Sequence, residues 1–309
     1  MSDEYKKVPK ISFAIYPSET LSTCVVEPYN ALLSTHDLIE HNKITCVIDN
    51  EAGYELCQKK LRIKRPSYFN INRLIGKVTS SVTSGLRFPG ENQFTIADML
   101  TNLVPYPRLH FMTCGMSPIM AEDEIDEVDE WKITSESFDP TNFFVKYSDW
   151  DSDNDRYMGI SIVYRGNVIP KKCQDSINRL KNVTVKLVDW CPTGFKVSMI
   201  DKLPSYLGDD GLKPVDRSSV LIGNNTAVIR PFETRIGKRY DLMYSQRAFV
   251  HWFVGEGMEE GEFTEAREDL MMLVKDYQGT LDDQMTDQEN ADDDDDYNDD
   301  LNDDNKNDE

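Results

Sequence analysis

The chain has 309 residues, with 34 lysines and arginines against 55 aspartates and glutamates, which gives a formal net charge of −21. Such an acidic field repels nucleic-acid phosphates, and no apolar stretch approaches the ~20 residues that span a bilayer. The six cysteines show no C-x-x-C spacing, which is typical of free thiols in a reducing compartment. We therefore expect a cytoplasmic protein with no nucleic-acid and no membrane partner.

The charge is concentrated at the C-terminus. Residues 282–309 hold fifteen acidic residues and one basic residue, and therefore carry −14 of the net charge. The segment includes the run Asp292–Asp296 and has almost no apolar residue. Because such a segment cannot bury enough surface to offset its ordering entropy, the sequence predicts a disordered acidic tail.

The predicted elements of the first hundred residues alternate between strands and helices. Apolar, β-branched runs predict strands, and Pro28 near the start of the first helix is typical of a first turn. The longest apolar stripe, at spacings of three and four, predicts one helix of about 30 Å that crosses a domain or joins two. In chain order the elements are strand Ile11–Pro17, helix Glu27–His36, strand Lys43–Ile48, helix Asn50–Leu61, helix Pro66–Leu86 and helix Thr95–Leu103.

The remaining elements continue the mixture of strands and helices, which predicts an α/β or α+β sandwich. They are strands Leu109–Cys114, Phe143–Tyr147 and Met158–Tyr164, helix Lys172–Lys181, strands Thr184–Val188 and Ala227–Ile229, and a last helix containing Phe263–Tyr277. That last helix has one apolar face, and its other face is acidic. The aspartate-rich run Asp149–Asp155 lacks the glycine and the glutamate of a calcium loop, so no metal site is predicted.

Several longer stretches carry a specific resemblance. They are VVEPYN (Val25–Asn30), VIDNE (Val47–Glu51), RPSYFNINRL (Arg65–Leu74), TNLVPYPR (Thr101–Arg108), VDWCPTGFKV (Val188–Val197), DLMY (Asp241–Tyr244) and RAFVHWFVGEGMEEGEFTEARED (Arg247–Asp269). In this order and spacing, the chain resembles the alpha-tubulins of the tubulin/FtsZ family from about Tyr5 to about Tyr277. No single short motif has comparable specificity.

The resemblance implies a fold and a division into domains. Residues 1–88 correspond to the rear part of a tubulin-type nucleotide domain, including the central helix. Residues 89–235 correspond to an intermediate domain built as a two-layer α/β sandwich. Residues 236–281 correspond to the C-terminal helices, and residues 282–309 to the acidic tail.

The resemblance also implies an incomplete GTP site. Nothing in the sequence matches the glycine-rich loop that holds the phosphates, so the chain is expected to enter the family's nucleotide domain partway through and to lack its front. Magnesium is expected only together with that front part, and the chain alone is expected to bind GTP weakly or not at all. The residues that match the wall around the base and ribose are Thr23, Glu27, Asn50, Tyr68 and Asn72. Each of these side chains could instead cap a helix or occupy a turn.

A further position corresponds to the catalytic glutamate with which alpha-tubulin reaches the GTP of the beta subunit and activates water. The matching residue here is Asp98, whose carboxylate is one methylene shorter, and a displacement of about 1 Å can cost ~10²-fold in rate. Asp98 could alternatively cap its own helix. The ten residues Ala121–Glu130 (AEDEIDEVDE) fall in the loop that makes lateral contacts in the family. Because burial of unpaired charge is costly, we expect impaired lateral packing.

The resemblance implies a structural constituent of the microtubule cytoskeleton in the cytoplasm. It would pair with beta-tubulin, contribute to GTP-dependent assembly, and bind motor and microtubule-associated proteins through residues 247–309. Three alternatives stay open at this point. The chain could cap or sequester beta-tubulin without polymerising, it could activate the GTPase of beta-tubulin in trans through Asp98, or it could be the product of an incomplete or degenerate gene.

Overall fold

A computed structural model describes residue 5 and residues 8–90, 92–147, 149–206 and 211–303, with side chains as far as residue 281. Six strands form one sheet in the spatial order β1-β2-β3-β6-β4-β5. Strands β1, β2 and β3 are parallel, β6 is antiparallel to both of its neighbours, and β5 is parallel to β4. The strands are β1 Ile11–Tyr16, β2 Ile44–Asp49, β3 Phe111–Ser117, β4 Tyr157–Gly166, β5 Phe195–Ile200 and β6 Arg217–Asn225.

Helices cover both faces of this sheet. They are α1 Glu27–His41, α2 Asn50–Lys59, α3 Tyr68–Val82, α4 Ser84–Arg87, α5 Ile96–Leu103, α6 Glu130–Ser137, α7 Pro170–Val183, α8 Lys238–Tyr244, α9 Val250–Gly255 and α10 Glu260–Asp303. A π-helix, Pro231–Gly237, precedes α8. No helix in the described part of the chain is both long and apolar enough to cross a membrane.

Two apolar cores lie on opposite faces of the sheet. One core contains side chains from α1, α6, α7, the π-helix and α10, and the other contains side chains from α2, α3 and α5. Every residue of β4 is buried, as expected for a central strand that is covered on both faces. The mixed α/β fold is therefore confirmed. Because β2 pairs with β3, the sheet continues across the predicted boundary at residue 88, and the division into domains stays a prediction.

The prediction of one continuous helix over Pro66–Leu86 was wrong at both ends. Helix α3 begins at Tyr68, because the side chain of Asn70 accepts hydrogen bonds from the backbone and hydroxyl of Ser67 and so caps the start. It ends at Val82, where the Thr83 hydroxyl donates to the carbonyl of Thr79. Helix α4 is a separate turn.

Three strand predictions were also wrong. Phe143–Tyr147 and Thr184–Val188 each make only an isolated bridge, from Phe143 to Gly115 and from Leu187 to Tyr157. Residues Ala227–Ile229 lie at the 3-10 turn that follows β6. Strands β5 and β6 were missed, because polar residues interrupt their apolar pattern: FKVSMI in β5 and RSSVLIGNN in β6.

The last predicted helix is confirmed. Phe263, Ala266, Leu270, Leu273 and Tyr277 of α10 are all buried in the first core, and the acidic residues of the opposite face are exposed or partly exposed. The backbone of α10 extends to Asp303, and residues 304–309 lie outside the described residues. The disorder predicted for 282–309 in solution stays a prediction.

Candidate functional site

The principal candidate site is an open cleft of about 620 Å³ at the carboxyl ends of β1 and β2. Residues of the loop that follows β1 form one side, and the first two turns of α2, which follow β2, form the other. In open parallel sheets, ligands bind at this edge because the loops and helix starts converge there. The parallel pairing of β1 and β2 therefore places the cleft where such a fold binds ligands.

Four of the five predicted wall residues line this cleft. Thr23 comes from the loop after β1, Glu27 from the first turn of α1, Asn50 from the start of α2, and Tyr68 from the start of α3. Asn72 lies one turn further along α3 and lines a separate hollow with Arg73, next to residues 204–205. The structure thus brings four separate elements together around one space and places Asn72 outside it.

The wall side chains are free to contact a ligand. Asp49, not Asn50, caps α2, since its Oδ1 accepts the backbone N–H of Ala52 at 2.5 Å. The amide of Asn50 therefore faces the cleft without a capping role, and it makes no hydrogen bond within the part of the chain that the structure describes. Tyr68 is 54% exposed, and its ring lies beside that of Tyr54 with ring centroids 6.3 Å apart, so Tyr68 offers exposed aromatic surface to a planar ligand.

The charged side chains that line the cleft are all acidic among the described residues: Glu27, Glu51 and Glu55. Lys146 bridges two of them, with its Nζ 2.8 Å from Glu51 and 2.5 Å from Glu55. Burial raises the pKa of Glu51, but hydrogen bonds from Lys146 and from the amide of Thr20 outweigh it and hold that pKa below its usual value. Hydrogen bonds from Lys146 and Lys59 lower the pKa of Glu55. The cleft therefore stays anionic at neutral pH.

A buried ion pair fixes the floor beneath the cleft. Asp49 is fully buried and accepts hydrogen bonds from the backbone N–H of Lys146 and the guanidinium of Arg235, both at 2.8 Å from its Oδ2. Arg235 also donates to the carbonyl of Lys146. One carboxylate thus joins the end of β2, the start of α2, residues 143–147 and the π-helix.

Sequence reasoning missed most of the α2 side of the cleft. Asn50, Tyr54 and Gln58 are spaced by four, and so are Glu51 and Glu55, which places both rows on adjacent stripes of one helix. That spacing was visible in the sequence and could have identified the face. Ser18, Thr20 and Ser22 were also missed, and they line the cleft because the loop after β1 folds over the edge.

No group of three or more metal-ligating side chains is found in the described part of the chain. Aspartates of the run Asp149–Asp155 are used internally instead. Asp151 accepts from the backbone N–H of Asp153 and from Asn154, and Asp155 pairs with both terminal nitrogens of Arg230 at 2.9 Å. These carboxylates therefore stabilise a loop.

Asp98 does not line the cleft. It lies in the first turn of α5 and forms a capping box with Thr95, whose backbone N–H and hydroxyl both donate to Asp98 Oδ2, at 2.9 and 2.8 Å. These bonds lower the pKa of the carboxyl. Within this chain, the contacts of Asp98 are therefore those of a helix cap. One oxygen carries both of these bonds, so its other oxygen can still accept a hydrogen bond from outside.

The acidic loop Ala121–Glu130 satisfies part of its charge internally. Asp126 pairs with Lys132 at 2.8 Å, and Asp123 lies 3.4 Å from Arg62. Glu130 is buried and pairs with Arg217 at 2.8 Å. Ile125 at the centre of the loop is 89% exposed. The loop that is predicted to make lateral contacts therefore presents one exposed apolar side chain, Ile125, between carboxylates.

Comparison with known proteins is consistent with this geometry. Residues 1–58, which supply most of the cleft, match the model of the tubulin/FtsZ family GTPase domain, and residues 107–236 match the model of the tubulin C-terminal domain. The two matches follow each other in the order expected of one protein. The chain belongs to the tubulin/FtsZ family.

Its similar relatives are alpha-tubulins. The chain is 47% identical to the nucleomorph tubulin alpha chain of Guillardia theta, 46% identical to the tubulin alpha-1 chain of Arabidopsis thaliana, and 45% identical to the tubulin alpha-3 chain of Zea mays. Each comparison covers 281 residues, 90% of this chain and 62% of the relative. The chain thus spans about three-fifths of the length of the relatives that it matches.

Proposed function

We propose that the chain acts as an alpha-tubulin-like structural subunit of the cytoplasmic microtubule cytoskeleton that pairs with beta-tubulin. The observation that carries this proposal is the cleft, where Thr23, Glu27, Asn50 and Tyr68 converge from four elements at the ligand-binding edge of the sheet. The similarity to alpha-tubulins supports the same function.

The chemistry of the cleft supports contact with the base and ribose of a guanine nucleotide. An asparagine amide offers both a donor and an acceptor, which match the edge of guanine, and glutamates and hydroxyls accept the N–H and O–H donors of base and ribose. Tyr68 offers a ring for stacking. Phosphates would be repelled by Glu27, Glu51 and Glu55, so they and any magnesium ion need groups from outside this cleft.

Nucleotide titration tests this assignment. We expect the isolated chain to bind GTP weakly or not at all, with a Kd weaker than micromolar. In a complex with beta-tubulin, we expect retained guanine nucleotide, and Asn50→Ala or Tyr68→Ala to reduce its stoichiometry. Asn178→Ala, an exposed asparagine of α7, is the matched control. Micromolar GTP binding by the chain alone would contradict the incomplete-site prediction, and unchanged nucleotide content in both wall variants would contradict the cleft assignment.

The catalytic part of the proposal assigns Asp98 to the surface facing the GTP of beta-tubulin, where its free oxygen would orient water. Phosphate release by the co-assembled proteins should fall with Asp98→Ala and should rise with Asp98→Glu, which restores the missing methylene. Thr95→Ala disrupts the capping box while keeping the carboxylate, and so separates helix capping from catalysis. Equal loss of activity in Thr95→Ala and Asp98→Ala would assign Asp98 to capping alone.

A second candidate function, a cap or sequestering partner of beta-tubulin, is favoured by the acidic loop. The carboxylates around Ile125 would have to be desolvated if a neighbouring protofilament packed there, and the solvent-exposed pairs of Asp123 and Asp126 do not recover that cost. Co-sedimentation distinguishes the two functions. A subunit enters polymer in proportion to beta-tubulin, whereas a cap inhibits growth at low molar ratio and stays at the ends.

A further inference from the structure

One region of this acidic chain carries a positive charge. From Leu56 to Gly90 the sequence holds eight lysines and arginines and no aspartate or glutamate, so that the remainder of the chain carries −29. We name the lysines and arginines of residues 59–87 the basic band. It follows the end of α2, the connection to α3, and then α3 and α4. This segregation makes a local positive field in an acidic protein.

The centre of the basic band is available for binding. Lys64 and Arg65 are exposed and Lys60 is partly exposed, and none of the three has an acidic partner within the described residues. Another residue of the band, Arg62, already has an acidic partner. The Nη1 of Arg62 lies 3.4 Å from Asp123 of the acidic loop, with both side chains more than 60% exposed. One aspartate of an acidic segment of this chain thus already pairs with the band near its first residues.

We propose that the basic band binds the acidic tail, residues 282–309, of a second copy of the chain. The tail carries −14 in 28 residues and supplies the same carboxylates as the contact between Asp123 and Arg62. The band lies with α2 and α3 on one face of the sheet, whereas the first part of α10, which leads into the tail, packs on the other face. A neighbouring molecule therefore reaches the band more directly than the chain's own tail does.

The association is electrostatic and head-to-tail. Each exposed ion pair contributes little alone, so the contact depends on several pairs acting together and weakens as salt shortens the screening length to about 8 Å. A band on one copy and a tail on the next form a heterologous contact, which can continue to further copies. A long phosphate polymer fits less well, because it would extend beyond the band into the surrounding negative field.

Complementation between two full-length variants tests the proposal by sedimentation velocity at low salt. The band variant carries Lys60→Glu, Lys64→Glu and Arg65→Glu, and the tail variant carries asparagine at each position of Asp292–Asp296. The unmodified chain should self-associate, and its association constant should fall about tenfold or more in either variant alone. An equimolar mixture should form a heterodimer, because the tail of the band variant meets the intact band of the tail variant.

The matched control reverses three exposed lysines outside the band, Lys43, Lys171 and Lys275. Its net charge changes as much as that of the band variant, but its association constant should stay close to that of the unmodified chain. A mixture that remains monomeric would overturn the proposal, as would a tail variant that associates like the unmodified chain. Binding of a 20-nucleotide single-stranded RNA that the band variant loses, with self-association independent of the tail, would assign the band to nucleic acid instead.

Discussion

Asp49 illustrates how one side chain can control both the fold and the candidate site. Its carboxylate is fully buried, caps α2 and pairs with buried Arg235. We expect Asp49→Ala to lower the free energy of unfolding by about 3–5 kcal/mol, because it leaves the guanidinium buried and unpaired. Asp129→Ala is the control, since Asp129 caps α6 from an exposed position and should cost about 1 kcal/mol. Similar losses in urea unfolding would show that the Arg235 pair adds nothing beyond a cap.

The ion pairs of Lys146 with Glu51 and Glu55 predict that the stability of the fold depends on pH. The folded-state pKa values of Glu51 and Glu55 are lowered from 4.5, so the stability that they gain from Lys146 is present above about pH 4.5 and is lost as pH falls through the folded pKa values. Lys146→Met should therefore cost about 1 kcal/mol near pH 7, since the site is partly exposed. That difference should shrink below pH 4.5 in paired unfolding titrations. A difference that is constant from pH 7 to pH 3 would exclude these glutamates as its source.

At the scale of an element, helix α10 is held to the rest of the fold by one buried face. Its buried stripe holds it against the first core, and Leu273 has no exposed surface, whereas the neighbouring Met272 is 52% exposed. Leu273→Ala should lower the free energy of unfolding by about 2–5 kcal/mol through lost burial and a residual cavity. Met272→Ala should stay within about 0.5 kcal/mol. Equal effects in chemical denaturation would mean that the helix does not dock by this stripe.

Elements were predictable where local signals and packing agree. The stripe of α10 and the apolar runs of β1 and β2 needed only periodicity, and the wall residues Asn50 and Tyr68 came from resemblance to a family. The turn at Thr83, whose hydroxyl donates to the carbonyl of Thr79, interrupts the helix although the apolar periodicity continues to Leu86. Residues 143–147 look like a strand, yet their backbone makes a single bridge to β3, and the N–H of Lys146 donates to the side chain of Asp49 instead of continuing the ladder. Long-range partners of this kind are absent from a local pattern.

In the whole molecule, the positive surface, the acidic helix and the cleft occupy different sides of the sheet. The sheet separates the basic band from α10, while the cleft opens at the end of the sheet where two parallel strands stop. The net charge of −21 therefore conceals one positive surface among acidic ones. Ligand, partner and self-contacts can consequently be tested with separate sets of variants, because they rest on different residues.

The two edges of the sheet differ in protection. Strand β5 carries Lys196, whereas β1 (ISFAIY) has no charge and leaves Ile15 51% exposed. An uncharged edge strand is a template for pairing with another chain, and an edge lysine opposes it. Ile15→Lys should therefore raise the concentration at which the chain forms aggregates, measured by light scattering at physiological salt, where the electrostatic contact of the basic band is weakened.

Val183→Lys is the matched control for that change. Val183 is 76% exposed at the end of α7 and belongs to no strand, so the added charge is the same while the sheet edge keeps its sequence. If both variants raised the aggregation threshold equally, net charge would explain the effect. If only Ile15→Lys does so, backbone pairing at β1 is the route by which this chain aggregates, and a partner that covers β1 should have the same protective effect.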